Sequence, residues 1–410
     1  MPHHLNAGRL YEGVSTLLGF GIEEGPGKMM GLAPFGKPKF FDRRFVGNVL
    51  DISKLIDEIP KVTFPKWKPH PFDQCLNVWI HHCANQAQKL GYDLSPLGDS
   101  SRILQPINVD IAASTQLWLE ETMLKATKEM LRAYKTKGIE TIENLCLSGG
   151  TALNCPTNSR IYNSRLVENV FIPPAVHDGG LSMGSALAVY HNTLKHERRA
   201  TFGSTPKLAY LGLKHDESLV PLALRHYADK IQFTKIVDKQ IRISKRLAKN
   251  EIVAVVIGRS EIGPRALGHR SILAHPGHVE NWKRVNNIKK RELWRPFAPA
   301  VLESKASEWF SGVPKQSPFM LLTAKVIRPG IPAVTHVDGT ARIQTVNEDS
   351  PELMAILSEF ELLTGIPVLM NTSFNGPGEP IIETADQALQ FFVRSELDAL
   401  FLENFEITRV

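Results

Sequence analysis

Two apolar runs in the second half of the chain, EIVAVVIG and GIPVLM, have strand length and no polar interruption. Each empties into a polar loop rich in glycine, GRSEIGPRALGHRS after the first and NTSFNGPGEPI after the second. Short unbroken apolar runs bounded by turn signals predict buried strands. The first half reads differently. Leu10, Val14, Leu17 and Leu18 recur at helical spacing and predict a short helix over Gly8–Phe20, and a longer helix follows from Asp110 to about Tyr134, with Asp110 as its N-cap. Between them, GIEEGPGKMMGLAPFGKP carries too many glycines and prolines for a regular element, and FPKWKPHPF is broken by proline. ENLCLSGG predicts a short buried strand running into a Gly-Gly turn. ENVFIPPAVHDGG repeats that grammar before a small-residue helix, LSMGSALAVYH. The charged segment His191–Pro206 has no apolar period and marks a boundary, dividing the chain into regions 1–200 and 207–410. Strands alternating with helices imply an α/β architecture, whose functional loops leave the carboxyl ends of strands.

Composition narrows the function classes. A chain of 410 residues, 43% hydrophobic and 22% charged, is an ordinary globular sequence with room for two or three cores. No apolar run approaches the roughly 20 residues that span a bilayer, and MPHHLNAGRLYEG lacks the apolar centre of a signal peptide. Cys75, Cys83, Cys146 and Cys155 fit neither a zinc ribbon nor a redox pair, so the cytoplasm is the expected compartment. The net charge of +6 is local. Arg259–Arg295 holds nine Lys/Arg against three Glu, a surplus of six that equals the whole excess. Charge concentrated among glycine, proline and apolar residues suits a pocket for small anions better than a nucleic-acid track.

The candidate chemistry follows from these loops. Gly149 and Gly150 lie between a strand and a helix, where the backbone can approach a phosphate chain. PPAVHDGG supplies Asp178 and two further glycines about thirty residues on, and such a pair of loops resembles nucleotide-binding folds of the actin and sugar-kinase type. His177 and Asp178 are either metal ligands or a helix cap beside an exposed imidazole. Arg259, Arg265, His269 and Arg270 stand among three glycines, followed by Lys289, Arg291 and Arg295. Guanidinium forks match phosphate oxygens. A solvated charged face is the alternative, disfavoured by the apolar FAPAVL flank and the scarcity of acid. Asn371, Ser373 and Asn375 offer hydrogen bonds to a planar amide, and Arg342 opens a β-patterned stretch after a DGT turn. A dianion with an amide head, such as carbamoyl phosphate, asks for that division of labour.

Taken together, EGPGKMMGLAPFG, LCLSGGTALNC, PPAVHDGGLSMGSAL, GRSEIGPRALGHRSIL, KKRELWRPFAPAVL, HVDGTARIQTV and GIPVLMNTSFNGPGEPI resemble the nodulation and antibiotic O-carbamoyltransferases, in order and over nearly the whole chain. The resemblance implies a partial actin-like domain of the ASKHA, TsaD type followed by a YrdC-like α/β domain. The second would make carbamoyl adenylate from carbamoyl phosphate and ATP with Mg2+, and the first would pass the carbamoyl group to a small hydroxyl-bearing acceptor. It also implies roles for residues. Lys289, Arg295, Arg342, Asn371 and Ser373 would handle carbamoyl phosphate; Arg259, Arg265 and Arg270 the ATP phosphates; Lys28, Gly149 and Gly150 the path of the adenylate; and Asp178 a divalent iron. The family's HxxxH-type histidine motif and an aspartate loop are expected before MPHHLNAGRLYEG. The expectation is therefore an N-terminally truncated chain, or one completed by a separately encoded N-terminal piece, lacking the other iron ligands and the first strands of the actin-like sheet, with apolar surface left exposed that would drive pairing or aggregation. No nucleic acid and no membrane are expected as partners. The competing expectation is a paralogue that binds nucleotide or carbamoyl phosphate without turnover.

Overall fold

The computed structural model describes residues 7–21, 24–47, 55, 57–63, 74–139, 141–198, 208–214, 220–312, 314 and 316–410. The chain forms two compact units, Met1–Phe171 and Ile172–Val410. The junction expected between 200 and 207 and the FPKWKPHPF stretch both lie outside the described residues.

The first unit is mainly helical: α1 (Ala7–Leu17), α2 (Gly25–Leu32), α3 (Gln74–Lys89), α4 (Pro106–Lys135) and α5 (Cys155–Asn163), with two short parallel strands, β1 (Asn144–Cys146) and β2 (Asn169–Phe171). Helix α1 buries the face its periodicity foretold, including Leu10, Val14 and Leu17. Three expectations are corrected. The glycine-rich segment contains α2, which starts with Pro26 in its first turn and continues into a 3-10 turn at Ala33–Phe35. Proline is tolerated there because the first N–H groups of a helix have no intrahelical partner. Asp110 is not a cap, since α4 begins four residues earlier at Pro106 with Gln105 as N-cap. Asp110 instead sits inside the helix, 4% exposed, accepting from Lys37 N at 2.8 Å and Tyr92 Oη at 2.6 Å and pairing with Lys39 Nζ at 3.2 Å. It clasps the segment after Gly36, where a Cβ would stand 2.1 Å from the Val109 carbonyl oxygen. Strand β1 is not buried throughout, because only Leu145 is covered, packing with Leu131, Ile161 and Val167.

The second unit is a mixed α/β fold. Its strands are β3 (Ile231–Lys235), β4 (Val253–Val256), β5 (Arg270–Ala274), β6 (Ala298–Leu302), β7 (Phe310–Ser311), β8 (Leu322–Val326), β9 (Thr340–Val346), β10 (Val368–Ser373), β11 (Ala399–Leu402) and β12 (Phe405–Arg409). They form one sheet in the order β3-β12-β11-β4-β5-β10-β6-β9-β8-β7. Only β4–β11 and β6–β9 pair in parallel. The helices are α6 (Leu181–Ala188), α7 (Val220–Arg225), α8 (Lys239–Ala248), α9 (Glu280–Ile288), α10 (Ala306–Trp309), α11 (Pro351–Thr364) and α12 (Ala385–Arg394). Helices α7, α9 and α12 cover one face with Leu224, Val285, Leu389 and Phe392, while α8 and α11 cover the other with Ile243, Leu247, Ile356 and Phe360. Burial on both faces explains why β4 and β10 read as unbroken apolar runs. Helix α6 buries none of its residues, and Leu181, Leu187, Val189, Tyr190 and Leu194 are all exposed.

His275, just after β5, gives the unit a pH dependence. Its ring packs against Phe360 at 5.0 Å, and its Nδ1 accepts from Gly277 N at 3.0 Å. Burial, reinforced by the nearby His278, pushes its pKa down from 6.5 to about 4. As pH falls from 6.5 to 4 the unfolded chain takes up a proton that the folded chain refuses, so stability is full above that window and is lost through it. The loss amounts to about 3 kcal/mol. Urea melts of wild type and His275→Asn across this range should show the variant's pH slope flattened by that amount; equal slopes would contradict it.

Candidate functional site

The register of the sheet gathers the expected residues at one end. Asn371 on β10 pairs with Ala298 on β6, and β6 pairs Ala300 with Gln344 on β9, which sets Arg342 level with Ala298. Alternation along β9 sends Ala341 and Ile343 into one core and leaves Arg342 and Gln344 on the opposite face. Two residues beyond Asn371, Ser373 pairs with Ser271 at the start of β5. Polar side chains thus occupy the strand ends on the face whose interior is filled by Leu273, Leu302, Val346 and Leu369.

The loop from β4 to β5 lies over this polar patch. Gln344 Nε2 donates to Leu267 O at 2.8 Å, Asn371 Nδ2 donates to Gln344 Oε1 at 2.8 Å, and Tyr210 Oη donates to Leu267 O at 3.1 Å. Tyr210 stacks on His269 at 3.9 Å, and burial pushes its phenol pKa up. His269 Nδ1 faces Arg259 O at 2.7 Å, so this nitrogen carries the proton, because a carbonyl only accepts. Within the loop, Glu261 Oε1 accepts from Leu267 N at 2.7 Å, His269 N at 2.8 Å and Arg270 N at 3.3 Å.

The basic residues divide by environment. Arg259 is exposed, and Arg265 is partly buried. Arg270 differs from the expectation that it holds ATP. It is fully buried, with Nη1 donating to Ile257 O and His269 O at 2.9 and 3.2 Å and Nη2 to Gly258 O and Leu213 O at 3.1 and 3.3 Å. Four carbonyls take both Nη atoms, while Nε is buried with no partner among the described residues, and desolvation draws the guanidinium's pKa down. Through the Nη atoms it staples the loop.

Lys289, 5% exposed, is held by the protein itself. Its Nζ donates to Ser373 O at 2.5 Å, Asn375 Oδ1 at 2.6 Å and Asn375 O at 3.1 Å, with Ser373 Oγ at 3.3 Å. Burial first, then Arg291 and Arg295, hold its pKa well below the lysine range. The ammonium fixes the turn that presents Ser373. Arg295 remains more open, its side chain 25% exposed with Nη1 at 3.5 Å from Glu292 Oε2. Its carbonyl is fixed by Trp282 Nε1 at 2.7 Å and Asn286 Nδ2 at 3.1 Å. Arg291 donates to Asn286 Oδ1 and lies 4.3 Å over the Phe297 ring.

Five buried polar atoms of this region have no hydrogen-bond partner among the described residues: Glu261 Oε2, Arg265 Nε, His269 Nε2, Arg270 Nε and Asn371 Oδ1. Buried polar groups are nearly always satisfied, and a group of unsatisfied ones in one loop and its facing strand marks a place built for something else. Glu261 Oε2, Asn371 Oδ1 and the unprotonated His269 Nε2 are acceptors there, and the arginine Nε–H groups are donors.

In the first unit, Gly149 has φ +94, a conformation that favours glycine, and a Cβ on Gly149 or Gly150 would meet nothing within 4 Å. The turn is open, as a phosphate path requires. Lys28 is engaged with Glu24 at 3.4 Å. Helix α1 packs on both α2 and the Gly150–Leu153 turn. Beneath that turn Tyr11 Oη donates to Gln116 Oε1 at 2.7 Å, and Gln116 Nε2 donates to Asn154 Oδ1 at 2.9 Å, a buried relay that periodicity does not reveal. In the second unit, Asp178 is exposed on a short 3-10 turn, and His177 Nδ1 accepts from Gly179 N at 2.8 Å. That is the capping alternative. Among the described residues no three His, Cys, Asp or Glu side chains stand close enough to hold a metal ion, so the described residues do not by themselves fit iron. No described helix is long and apolar enough to cross a membrane.

A separate cleft of about 500 Å3 lies at the opposite ends of β6 and β9, lined by Glu303, Asn347 and Glu348 among others. It is distant in register from Arg342 and Asn371 and unsuited to anions.

Comparison with known proteins agrees with the order of the motifs. Residues 1–187 match the family profile described as carbamoyltransferase N-terminus, and residues 244–409 the one described as carbamoyltransferase C-terminus. An uncharacterized protein of Synechocystis sp. is 35% identical over 440 residues, covering 100% of this chain and 67% of that protein. The nodulation protein NolO of Bradyrhizobium diazoefficiens is 32% identical over 416 residues, covering 100% of this chain and 70% of that protein. Nodulation protein U of Sinorhizobium fredii is 35% identical over 289 residues, covering 69% of this chain and 48% of that protein.

Proposed function

The chain belongs to the carbamoyltransferase family, and from that premise we propose that it activates carbamoyl phosphate with ATP and delivers the carbamoyl group to a hydroxyl of a small molecule. In this reading the second unit is the YrdC-like activating half, and the first contributes to an actin-like transferring half. The carrying observation is the set of unsatisfied buried atoms on Glu261, Arg265, His269 and Asn371, gathered where the sheet register brings Arg342 and Ser373.

Arg295 and Arg342 take the phosphate of carbamoyl phosphate, Asn371 and Ser373 its amide head, and Lys289 locks the turn that carries Ser373. Arg259 and Arg265 take the nucleotide phosphates with Mg2+, which shields the charge of the triphosphate. The reaction balances as carbamoyl phosphate, ATP and water giving carbamoyl adenylate, phosphate and pyrophosphate. Water first cleaves the bond between the carbamoyl group and the phosphate, giving carbamate and phosphate; the carbamate oxygen then bonds to the α-phosphorus as the bond to pyrophosphate breaks. Fixed guanidinium groups favour this step because negative charge accumulates on the departing phosphates. Delivery then forms the carbamate ester and releases AMP and a proton. The open Gly149–Gly150 turn supports a phosphate path in the first unit, with Lys28 on the neighbouring α2.

The test is pyrophosphate release by the purified chain with Mg2+. Release that requires both ATP and carbamoyl phosphate is the expected result. Binding of both by calorimetry with no release would leave a non-catalytic paralogue.

A further inference from the structure

Glu261 is the acid in a loop otherwise counted for its arginines. Its two oxygens are used unequally: Oε1 receives three backbone N–H groups, and Oε2 is buried with no partner among the described residues. Four residues on, Arg265 Nε is a buried donor also without a partner, so acceptor and donor do not satisfy each other. A ligand that serves both offers an acceptor to Arg265 and a donor to Glu261. Among the molecules the proposed reaction uses, the nucleotide has phosphate oxygens for the first and ribose hydroxyls for the second. Carbamoyl phosphate has a donor in its amino group, but Asn371 Oδ1 is an unpartnered acceptor for that group on β10. Mg2+ is the poorer fit for Oε2. Three N–H groups already draw charge from this carboxylate, and Arg259, Arg265 and Arg270 share its loop. The loop also leaves the carboxyl end of β4, beside its parallel neighbour β11, and carboxyl ends of parallel strands are where α/β sheets bind their ligands.

We propose that Glu261 is a specificity-determining residue that accepts a hydrogen bond from a ribose hydroxyl of ATP through Oε2 while Oε1 holds the loop. This rests on the activating role proposed above. A site built to bond a hydroxyl rejects the analogue lacking it, because the buried acceptor is left unpaired.

The test compares ATP, 2′-deoxy-ATP and 3′-deoxy-ATP with the full-length chain, by carbamoyl-phosphate-dependent pyrophosphate release and by calorimetric Kd. Wild type should favour ATP over at least one deoxynucleotide by ~10-fold or more in kcat/KM and in Kd. Glu261→Gln keeps an acceptor for the three N–H groups and puts an amino group at the Oε2 position, so it should lower ATP to the deoxynucleotide level and leave the KM for carbamoyl phosphate unchanged. Equal use of all three nucleotides by wild type overturns the proposal, whatever the variant does. So does a Glu261→Gln effect confined to carbamoyl phosphate or to the Mg2+ requirement. Absence of pyrophosphate release with ribose-dependent Kd intact defeats the activating role and leaves the contact standing.

Discussion

Arg265→Ala should lower carbamoyl-phosphate-dependent pyrophosphate release by ~100- to 1,000-fold while the protein stays as stable as wild type or becomes slightly more so. The rate loss is that of removing one fixed charge aimed at a site of developing negative charge. Stability should hold because the fold makes little use of this side chain: its buried Nε has no partner among the described residues. Arg265→Lys should recover only part of the rate, since an ammonium cannot reproduce the planar fork. Steady-state kinetics and a urea melt on the same preparations read both halves. A large loss of stability with proportional loss of activity would contradict the assignment.

Arg270→Met should do the reverse, destabilising the protein by about 3–5 kcal/mol, the cost of breaking a buried charged network. Its two Nη atoms satisfy four backbone carbonyls, those of Leu213, Ile257, Gly258 and His269. Methionine fills similar space and supplies no donor, so the carbonyls lose their partners inside the fold. Chemical denaturation should show a fall in midpoint, with activity lost only in proportion to unfolding. A variant as stable as wild type but inactive would return Arg270 to the ligand-binding role its sequence position suggests.

These two arginines stand five residues apart in one motif, and no pattern of composition separates them. The sequence locates the basic loop after β4 because interleaved glycines, a preceding apolar run and surplus charge all act locally. It cannot tell which guanidinium turns inward, since that depends on carbonyls at Leu213 and Ile257 brought near by tertiary packing. Strands β4, β9 and β10 were legible for the same local reason: each carries its apolar residues in an unbroken or alternating run. Asp110 was misread because an acid before an apolar period is a cap only when no earlier turn extends the helix, and Pro106 supplies that turn. Helix α2 was missed because proline and glycine weigh against helix everywhere except the ends, where this short element has them. By composition Glu261 is only one of three glutamates set against nine basic residues. An acid among arginines, inside a glycine-rich loop, is the signal that was available.

In the proposed function, one end of the sheet holds two phosphorylated substrates together while carbamoyl adenylate forms. Isotope exchange between labelled pyrophosphate and ATP, measured on the purified chain without any acceptor, reads that event directly. Exchange that starts only when carbamoyl phosphate is added, and that Arg265→Ala abolishes, is the predicted result. Exchange that ignores carbamoyl phosphate, or none at all with both substrates demonstrably bound, would contradict it.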